Sequence, residues 1–578
     1  MRQRWKDERT PSDKAKVVIE LGDRLFSNRA TMESLWQQIA DQFYPERAEF
    51  TLQRTPGAEF ADHLMTSYPV KLREELASSI QAMLRPPGQK WFGMSSGREE
   101  IDQDDSAAPW LERSGLRLWR ALEDPKALFM RATTAADHDF VAFGNAVLTV
   151  ERHPAGVGFL LQNWHLRDVA WAENALREVD TVARRFKGTA RGLMQEFGRQ
   201  NVCDKVVEMM EKNPYGDVPC FSVVVPVEVW DYAYTGESEN AKARRREAFP
   251  FMQIVVDKAH EHVMRETPLR INPYVIVRWR LSTLSPYAFA PPTIIGLPDA
   301  RLLQRMTLSM LESAEKGVDP PLIARGEKLR GGVNVYAGGV TYVDPDYDDR
   351  TGKVVEALFE TQAFEPAKEF YDRQMAMMKD LFYLNKLTLP EFKDMTAYEV
   401  QKRMEEFARA ATPLFGPLET EYNGRVLEKS IAIGFQTDLF GPREEIPAVL
   451  RGRELAFTYK SPLRQAAEEV KAQQLGTGLQ LMQGAAAFDP TVPQNVDLNK
   501  ATRESLRGLG WPSGWIKPED QVQQEREAQA KQQQAEAAMQ QVQQGGEAAG
   551  AVAGAAKDAA AAGINIPSLL QGLGGAAA

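Results

Sequence analysis

The sequence has few cysteines and lacks long apolar runs. Its 578 residues include only Cys203 and Cys220, too few for a disulfide framework or for a zinc site with four cysteine ligands. We therefore expect both thiols to be reduced. No segment approaches the roughly 18 consecutive apolar residues that a membrane-spanning helix needs, and the first 16 residues lack the apolar core of a signal peptide. We therefore expect neither membrane insertion nor secretion.

Motifs of nucleotide and metal chemistry are also missing. No GxxxxGK(S/T) phosphate loop is present, and the nearest glycine pattern, LGTGLQL at 475–481, lacks a third glycine and follows no predicted strand. Of the six histidines, His260 and His262 form the one close pair, and they lack a third ligand at helical or hairpin spacing. We therefore predict a solvated strand end there without a metal, and we expect neither a cofactor nor enzymatic activity.

The chain is acidic. Lys and Arg total 70 against 80 Asp and Glu, which gives a formal net charge of −10. Tight nonspecific binding of nucleic acid depends on clustered Lys and Arg that displace counterions from phosphates. If nucleic acid is a partner, it is therefore not held by bulk charge. The length of 578 residues also exceeds a single core and predicts roughly three to four structural units.

Hydrophobic periodicity predicts an α+β protein. Apolar spacing of three to four residues predicts helices over 12–44, 66–84 and 108–123, and a shorter one over 189–198. From about residue 140, alternating or β-branched runs bounded by turn signals replace this spacing. They predict strands within 146–153, 158–166, 168–174, 179–188, 221–234, 251–258 and 274–282. Because most of these strands follow one another directly, they favour a separate sheet layer over a doubly wound parallel sheet.

Two longer helices are predicted over 298–316 and 364–383, with a glycine-rich module of short β-prone runs between them. This arrangement indicates a stalk of two helices with the module at its tip. After residue 516 the sequence shifts to Gln, Ala, Glu and Gly. Such a composition buries little apolar surface and predicts a low-complexity tail that is mobile or ordered only in an assembly.

The segment 394–422, DMTAYEVQKRMEEFARAATPLFGPLETEY, predicts a helix that begins with strong signals and is then interrupted. Thr396 and Glu399 have the spacing of a capping box. Pro413 and Pro417 each lack a backbone donor and crowd the preceding turn, which costs about 3 kcal/mol inside a helix. Apolar spacing then resumes at Leu418, Tyr422, Val426 and Leu427. We therefore predict a kinked continuation of the helix.

Several segments carry a family pattern through their order along the chain. They are LASSIQAMLRPPGQKWFGM, FGNAVLTVER, VDTVARRFKGTARGLMQEFG, YVIVRWRLS, LPDARLLQRMTLSMLESAEKGVDPPLIA and MTAYEVQKRMEEFARAATPLFGPLETEY. Together, over about residues 15–515, they resemble the portal, or head-to-tail connector, proteins of tailed bacteriophages, in particular the short-tailed T7-like group. One departure is YAFAPPTIIG, where many relatives have Tyr-Gly-x-Gly-Pro before the stem.

The resemblance implies a ring of twelve subunits with wing, stem, clip and crown regions around an axial channel. A separate terminase would drive DNA through this channel into the capsid, and DNA would later leave through it. The implied regions are a wing (1–297), a first stem helix (298–317), a clip (318–363), a second stem helix (364–383), a tunnel loop (384–394), a kinked wing helix with its following segment (395–450), a crown (451–515) and the low-complexity tail (516–578).

The resemblance also implies two sets of functional residues. In the tunnel loop, the residues expected near DNA are Lys386, Leu387, Thr388 and Lys393. We expect the two lysines to touch phosphates transiently, and plain solvent exposure is the alternative. In the clip, the residues expected to dock terminase and tail adaptors are Lys328, Arg330, Tyr336 and Tyr342.

The implied partners are eleven further copies of the chain, double-stranded DNA, the terminase large subunit, tail adaptors, and the major capsid and scaffolding proteins. The implied location is the unique capsid vertex of the virion, after assembly in the host cytoplasm. Two other functions stay open at this point. One is a nucleic-acid-processing enzyme whose site is assembled from scattered carboxylates, and the other is a minor capsid or tail protein without a channel.

Overall fold

A computed structural model gives the structure of the protein. It describes residues 11–529 except for 56, 103, 105, 155, 157, 233–246, 283–284, 319–321, 325–328, 330, 335–339, 343–354, 358–363, 388–417, 454, 460–477, 479–481, 483–500, 504, 507–510, 512–514, 516–520 and 523. The chain divides into two compact units, which are residues 1–97 with 111–468, and residues 98–110 with 469–578.

The helices of the described residues are distributed along the chain and alternate with groups of strands. The α-helices are α1 (Pro11–Ser27), α2 (Ala30–Phe43), α3 (Tyr68–Leu84), α4 (Glu99–Asp102), α5 (Ala107–Glu123), α6 (Phe129–Phe143), α7 (Ala190–Phe197), α8 (Asp204–Lys212), α9 (Val227–Tyr232), α10 (Pro291–Val318), α11 (Phe364–Leu381), α12 (Leu384–Leu387) and α13 (Arg425–Gln436). A π-helix spans Leu418–Gly424. Short 3-10 turns occupy Pro45–Arg47, Pro125–Ala127, Leu166–Asp168, Arg199–Asn201, Arg443–Glu445 and Ala448–Leu450.

The strands of the described residues form antiparallel sheets. They are β1 (Phe92–Ser95), β2 (Asn145–Arg152), β3 (Phe159–Trp164), β4 (Val169–Glu173), β5 (Val179–Thr189), β6 (Asp217–Pro226), β7 (Phe251–Asp257), β8 (His262–Leu269), β9 (Tyr274–Arg278), β10 (Arg280–Ser282), β11 (Ser285–Phe289), β12 (Leu322–Ala324), β13 (Val355–Ala357) and β14 (Ala456–Tyr459). The predicted α+β class is confirmed.

The largest sheet has the strand order β4-β5-β6-β7-β8 and is covered on both faces. Successive side chains of a strand point to opposite faces. Phe221, Val223 and Val225 of β6 therefore belong to one apolar core, which α1 covers. Val218 and Cys220 belong to the other core, which α7 and α8 cover. The burial of both faces explains why the sequence of β6 is almost continuously apolar.

A second sheet, β3-β2-β9, packs against α6. The turn from α6 into β2 requires a glycine, because Gly144 has a φ of +71° and a Cβ built on it would lie 2.2 Å from the carbonyl carbon of Phe289. Asn145 follows and is fully buried, and its side chain exchanges hydrogen bonds with the backbone of Ala288, donating at 2.8 Å and accepting at 2.9 Å. These contacts fix the end of α6 and the start of β2 against β11.

Strands β1 and β14 pair over the register from Phe92–Tyr459 to Ser95–Ala456. The sequence assigns β14 to the crown and β1 to the wing. In the structure, both strands belong to the same compact unit. The Trp91 and Phe92 side chains, which follow Pro86 and Pro87, are both buried beside this pairing.

Some predicted boundaries are wrong, each for a physical reason. The predicted helix over 12–44 is two helices, because Arg29 between them leaves the helical conformation and buries its side chain against the chain that follows β3. The predicted strand over 221–234 ends at Pro226, which cannot donate to a ladder, and the chain turns into α9. The long helix predicted from 298 begins at Pro291, since proline is well tolerated in the first turn.

In the second unit, Asp104 lies before the start of α5. Its Oδ1 accepts from the N–H groups of Ser106 at 2.9 Å and Ala107 at 3.1 Å. The Trp511 and Trp515 rings meet edge to face with centroids 5.8 Å apart. Across the described parts of both units, no helix is both long and apolar enough to cross a membrane.

Candidate functional site

The two long helices of the first unit form a stalk. Helices α10 and α11 pack against each other, and Thr307 Oγ1 lies 3.5 Å from Tyr371 Oη across the pair. The same hydroxyl donates to the carbonyl of Leu303 at 2.8 Å, as threonine does within helices. The predicted pair of long helices is confirmed, and their assignment as the stem of a portal stays a prediction.

The base of the stalk is buried in the body, by which we mean residues 11–97, 111–290 and 418–459 of the first unit. Ala300 and Leu303 of α10 and Met378 of α11 are fully buried. After α11, the Phe382 ring lies 5.6 Å from the ring of Phe43 at the end of α2. The stalk is thus anchored by an apolar contact between its base and α2.

Hydrogen bonds reinforce this junction. Gln304 of α10 accepts from the N–H groups of Met65 at 2.7 Å and Thr66 at 2.9 Å, and it donates to the carbonyl of Thr66 at 2.9 Å. The Tyr68 hydroxyl at the start of α3 donates to the carbonyl of Met375 at 3.0 Å. The loop before α3 is therefore tied to both helices of the stalk.

Along its length the stalk leaves large apolar side chains exposed to solvent. Their exposed fractions are 56% for Ile295, 38% for Leu302, 38% for Leu308, 56% for Leu311, 47% for Phe370 and 51% for Met377. We call Leu308, Leu311, Phe370 and Met377 the stalk face, because Leu308 and Leu311, and likewise Phe370 and Met377, lie on one side of their helix at these spacings. Soluble chains seldom leave such a run of large apolar residues uncovered unless it meets another surface. The stalk face is therefore a candidate assembly surface.

The predicted clip is described only in part. Its strands β12 and β13 pair from Leu322–Ala357 to Ala324–Val355. Leu322 and Ile323 are exposed, and so is Tyr342. The other predicted docking residues, Lys328, Arg330 and Tyr336, lie outside the described residues.

The predicted tunnel loop begins as a helical turn. Lys386 and Leu387 are the last two residues of α12, whereas Thr388 and Lys393 lie outside the described residues. A sharp turn at Tyr383, with a φ of 59°, separates α11 from α12. Leu384 is buried, so the start of the predicted loop is fixed to the body.

Beyond the predicted loop, the capping and kink residues Thr396, Glu399, Pro413 and Pro417 also lie outside the described residues. The chain after them continues as the π-helix, which runs directly into α13. The predicted apolar residues Leu418, Tyr422, Val426 and Leu427 are all buried. The predicted resumption of a helix after Pro417, with this apolar face, is confirmed.

A buried polar network holds the π-helix. Arg85, which follows α3, donates from Nη2 to both carboxylate oxygens of Asp137 at 2.5 Å and from Nη1 to Asn423 Oδ1 at 2.6 Å. The guanidinium also lies 4.5 Å from the centre of the Tyr422 ring. All four side chains are almost completely buried. Burial raises the pKa of the Asp137 carboxyl, and the charge of Arg85 opposes that rise.

The chain therefore lies near α3 both before and after the segment 388–417, at Leu384 and at Asn423. Near the start of α3, Lys71 and Glu75 line a groove together with Leu384 of α12. At its end, Arg85 binds the π-helix through Asn423. Both contacts involve α3 or the residue that follows it, so a shift at either one would act on the same helix.

Sequence reasoning missed the buried charges that fix this arrangement. Arg85 looks like a surface residue before Pro86, and Asp137 and Asp139 look like ordinary helix charges. The signal that could have found them is the composition of α6, ATTAADHDFVAF, in which both aspartates stand among small and apolar residues on what would otherwise be a buried helix.

Comparison with known proteins agrees with this architecture. The family model described as "Bacteriophage head to tail connecting protein" matches residues 15–516. A protein named "Portal protein" from Salmonella phage epsilon15 is 22% identical over 539 residues, which cover 91% of this chain and 93% of that protein. A "Probable portal protein" from Bordetella phage BPP-1 is 22% identical over 540 residues, which cover 90% of this chain and 92% of that protein.

The family match spans the whole of the region over which the sequence resembles portal proteins, about residues 15–515, so that predicted resemblance is confirmed. The matched region includes the body, both stalk helices and the segment 388–417 between the two attachments to α3. The chain belongs to the bacteriophage head-to-tail connecting protein family.

Proposed function

We propose that the chain is the subunit of a portal ring at the unique vertex of a phage capsid, where it conducts DNA during packaging and ejection and provides the platform for the tail. The observation that carries this proposal is the family match over residues 15–516. The names of the two relatives support the same role. The function is structural, and the chain would perform no catalysis itself.

The stalk face supports assembly into a ring. Leu311 and Met377 are about half exposed in the single chain, and covering a large apolar side chain contributes about 1.5–3 kcal/mol when burial is complete. In a closed ring every copy meets two neighbours, so no stalk is left unpartnered. We propose a ring of twelve copies, in which adjacent stalks cover each other's apolar residues.

Charge supports a conduit through which DNA slides. The net charge of −10 disfavours tight binding of phosphates, because tight binding requires the release of many counterions by clustered cations. Lys386 and Lys393 would supply brief contacts at the tunnel loop. Packaging force would come from a separate terminase, which agrees with the absence of a phosphate-loop motif from the sequence.

The remaining regions follow the assignments made from the sequence. The clip, with Lys328, Arg330, Tyr336 and Tyr342, would dock the terminase large subunit and later the tail adaptors. The major capsid and scaffolding proteins would be further partners. Assembly would take place in the host cytoplasm, and the mature location would be the virion.

Mass photometry and negative-stain electron microscopy of the purified full chain test the ring. With a subunit mass of 64.8 kDa, we expect a species near about 780 kDa with a central hole, and neighbouring ring sizes would agree with the proposal. A chain that stays monomeric over the whole accessible concentration range would contradict it. A defined assembly without a central hole would favour a minor capsid or tail protein instead.

A paired substitution tests the tunnel loop. Lys386→Ala with Lys393→Ala should leave ring assembly intact and change packaging efficiency or DNA retention, because two cations near the DNA path are removed. The matched control is Lys126→Ala with Lys187→Ala, two exposed lysines of the body. Unchanged packaging and full retention in the first variant would remove the assigned role of these lysines without affecting the ring proposal.

A further inference from the structure

Three potential metal ligands converge where the β7–β8 turn meets α8. Cys203 lies directly before α8, Asp257 is the last residue of β7, and His260 lies in the turn. Their sulfur, oxygen and nitrogen ligand atoms all lie within 4.8 Å of one another. Among the described residues, no other group of three His, Cys, Asp or Glu side chains meets this condition.

Asp257 is the centre of the cluster, and its two carboxylate oxygens have different roles. Oδ1 accepts from the N–H groups of Ala259 at 2.9 Å and His260 at 3.2 Å, which fixes the orientation of the carboxylate. Oδ2 faces the other two ligands, with His260 Nδ1 at 2.6 Å and Cys203 Sγ at 3.7 Å. A carboxylate held through one oxygen, with the other directed at a thiol and an imidazole, is a common arrangement of metal ligands.

The protein holds these ligands in place through other contacts. His262, at the start of β8, has its Nε2 atom 3.1 Å from the carbonyl of Asn201, in the turn just before Cys203. Lys258 donates its N–H to the carbonyl of Pro219 at 2.9 Å on the neighbouring strand. The turn and the start of α8 are thus already joined, so a bound ion would not have to bring distant segments together.

We infer that Cys203, Asp257 and His260 form a binding site for a single Zn²⁺ ion, with the fourth position open to water. Tetrahedral zinc has bonds of about 2.0–2.3 Å, so its ligand atoms are roughly 3.3–3.8 Å apart. The distance of 3.7 Å between Cys203 Sγ and Asp257 Oδ2 already lies in this range. The shorter His260–Asp257 contact would open by less than about 1 Å as the ion replaced the hydrogen bond.

Ligand chemistry selects zinc over the other common cations. One thiolate and one carboxylate carry two negative charges, which balance a divalent ion, and the imidazole is a neutral ligand. A thiolate disfavours Mg²⁺, Ca²⁺ and Mn²⁺, which prefer oxygen ligands. The cluster is also poorly arranged for thiol catalysis, because the sulfur and the imidazole both face Asp257 Oδ2 instead of forming a Cys–His–Asp relay.

The other cysteine is not part of the site. Cys220 lies opposite Asp257 in the β6–β7 register, but its Sγ faces the carbonyl of Val218 at 3.4 Å within the apolar core. A zinc ion bound by Cys203 and His260 would therefore fasten α8 to the end of the large sheet. This role is independent of the portal function proposed above.

Metal analysis of the full chain, purified under reducing conditions without chelator or a histidine tag, tests the site. We expect about one zinc per chain by inductively coupled plasma mass spectrometry. Replacement by Co²⁺ should give a tetrahedral visible spectrum with a thiolate-to-cobalt charge-transfer band. Cys203→Ser should abolish that band, and Cys203→Ser and His260→Gln should each lower zinc affinity at least about tenfold.

Cys220→Ala and His63→Gln, the latter at an exposed position outside the cluster, are the matched controls, and both should keep the metal. Asp257 is left intact because its carboxylate also caps the turn, and circular dichroism verifies the fold of every variant. The inference is overturned if the folded chain gives no cobalt charge-transfer band and retains no zinc. It is equally overturned if zinc binds Cys203→Ser and His260→Gln as tightly as the unmodified chain, or if the controls lose zinc to the same extent.

Discussion

The body and the stalk differ in the charged side chains that they bury and in the apolar side chains that they leave exposed. The body buries Arg29, Arg73 and Arg85 almost completely, whereas the two stalk helices together leave several leucine, phenylalanine and methionine side chains exposed. A buried charge is tolerated only where its partners are fixed, and an exposed apolar face is stable only where something covers it. The contrast supports the proposal that the body is complete within one chain and that assembly would cover the stalk.

Three buried arginines organise the body. Arg29, Arg73 and Arg85 are almost completely buried, and each lies over an aromatic ring, at 4.6 Å from Phe26, 4.0 Å from Tyr44 and 4.5 Å from Tyr422 respectively. Each also donates hydrogen bonds to oxygen acceptors of distant segments. Because the guanidinium is planar and has five donors, it can join several segments at one point.

The largest expected effect is the loss of one such arginine. Arg85→Ala leaves Asp137 buried without its charge partner, and breaking a buried pair in this way costs about 3–5 kcal/mol. We expect a correspondingly large fall in the urea midpoint of the body. Arg425→Ala is the control, because the exposed Arg425–Glu178 pair at 3.2 Å should contribute at most about 1 kcal/mol.

A second variant separates the lost pair from lost packing. Arg85→Met with Asp137→Leu removes both charges while keeping most of the side-chain volume, so it should regain much of the stability that Arg85→Ala loses. Equal denaturation midpoints for Arg85→Ala and Arg425→Ala would show that the buried network does not hold the body together.

The comparison also shows what the sequence can predict. Helical spacing predicted α3, α5, α10 and α11, because one apolar face per helix is a local property of the chain. Strand patterns predicted β4, β5, β7 and part of β6 of the large sheet for the same reason, whereas β8 (His262–Leu269) was not among the predicted strands. The strand predicted over 221–234 failed at Pro226, where a single residue ended the ladder and outweighed the β-branched composition around it.

The site residues were harder to predict because they depend on contacts distant in sequence. Arg85 and Asp137 are 52 positions apart, and Cys203 and Asp257 are 54 apart. No spacing rule connects such residues until the fold brings them together. The prediction that His260 lacks a third ligand considered only ligands at helical or hairpin spacing, whereas Cys203 comes from a different element.

Lowering the pH should reduce the stability of the body before it reduces that of the stalk helices, because the stalk helices contain no histidine. Burial, together with nearby arginines, lowers the pKa of His138 to about 4 and that of His165 to about 3. In the unfolded chain both would take up protons near the ordinary pKa of about 6.5. Their contribution to stability is therefore complete above that pH and is lost as the pH falls toward about 4.

Thermal midpoints measured between pH 7 and pH 5, above the range in which most carboxylates titrate, test this prediction. The thermal midpoint should fall as the pH falls. His138→Gln should make this slope smaller, because glutamine does not take up a proton. Its amide oxygen can still accept from Arg73, whose Nη1 lies 2.6 Å from His138 Nδ1. His63→Gln, at an exposed position, serves as the control and should keep the original slope. A slope unchanged by His138→Gln would contradict the assignment.

A charge on the stalk face should break assembly while leaving the body folded. Leu311→Asp places a carboxylate where we expect the neighbouring stalk, and it removes about 1–2 kcal/mol of apolar burial per subunit. Mass photometry should show a shift from ring to monomer with an unchanged urea midpoint of the monomer. Leu176→Asp, at an exposed leucine of the body, should leave the ring intact. Rings that form equally well in both variants would exclude Leu311 from the interface.

The smallest expected effect lies at the junction of the two regions. Tyr68→Phe removes the hydrogen bond from the Tyr68 hydroxyl to the carbonyl of Met375 while keeping the ring, and a single bond of this kind contributes about 0.5–1.5 kcal/mol. Because the bond joins α3 to α11, its loss should loosen the stalk base more than the core of the body. Hydrogen exchange should therefore rise at 375–382 and stay constant in β6. Tyr215→Phe, at an exposed tyrosine, should change neither, and faster exchange throughout the body in Tyr68→Phe would mean that stalk and body unfold as one unit.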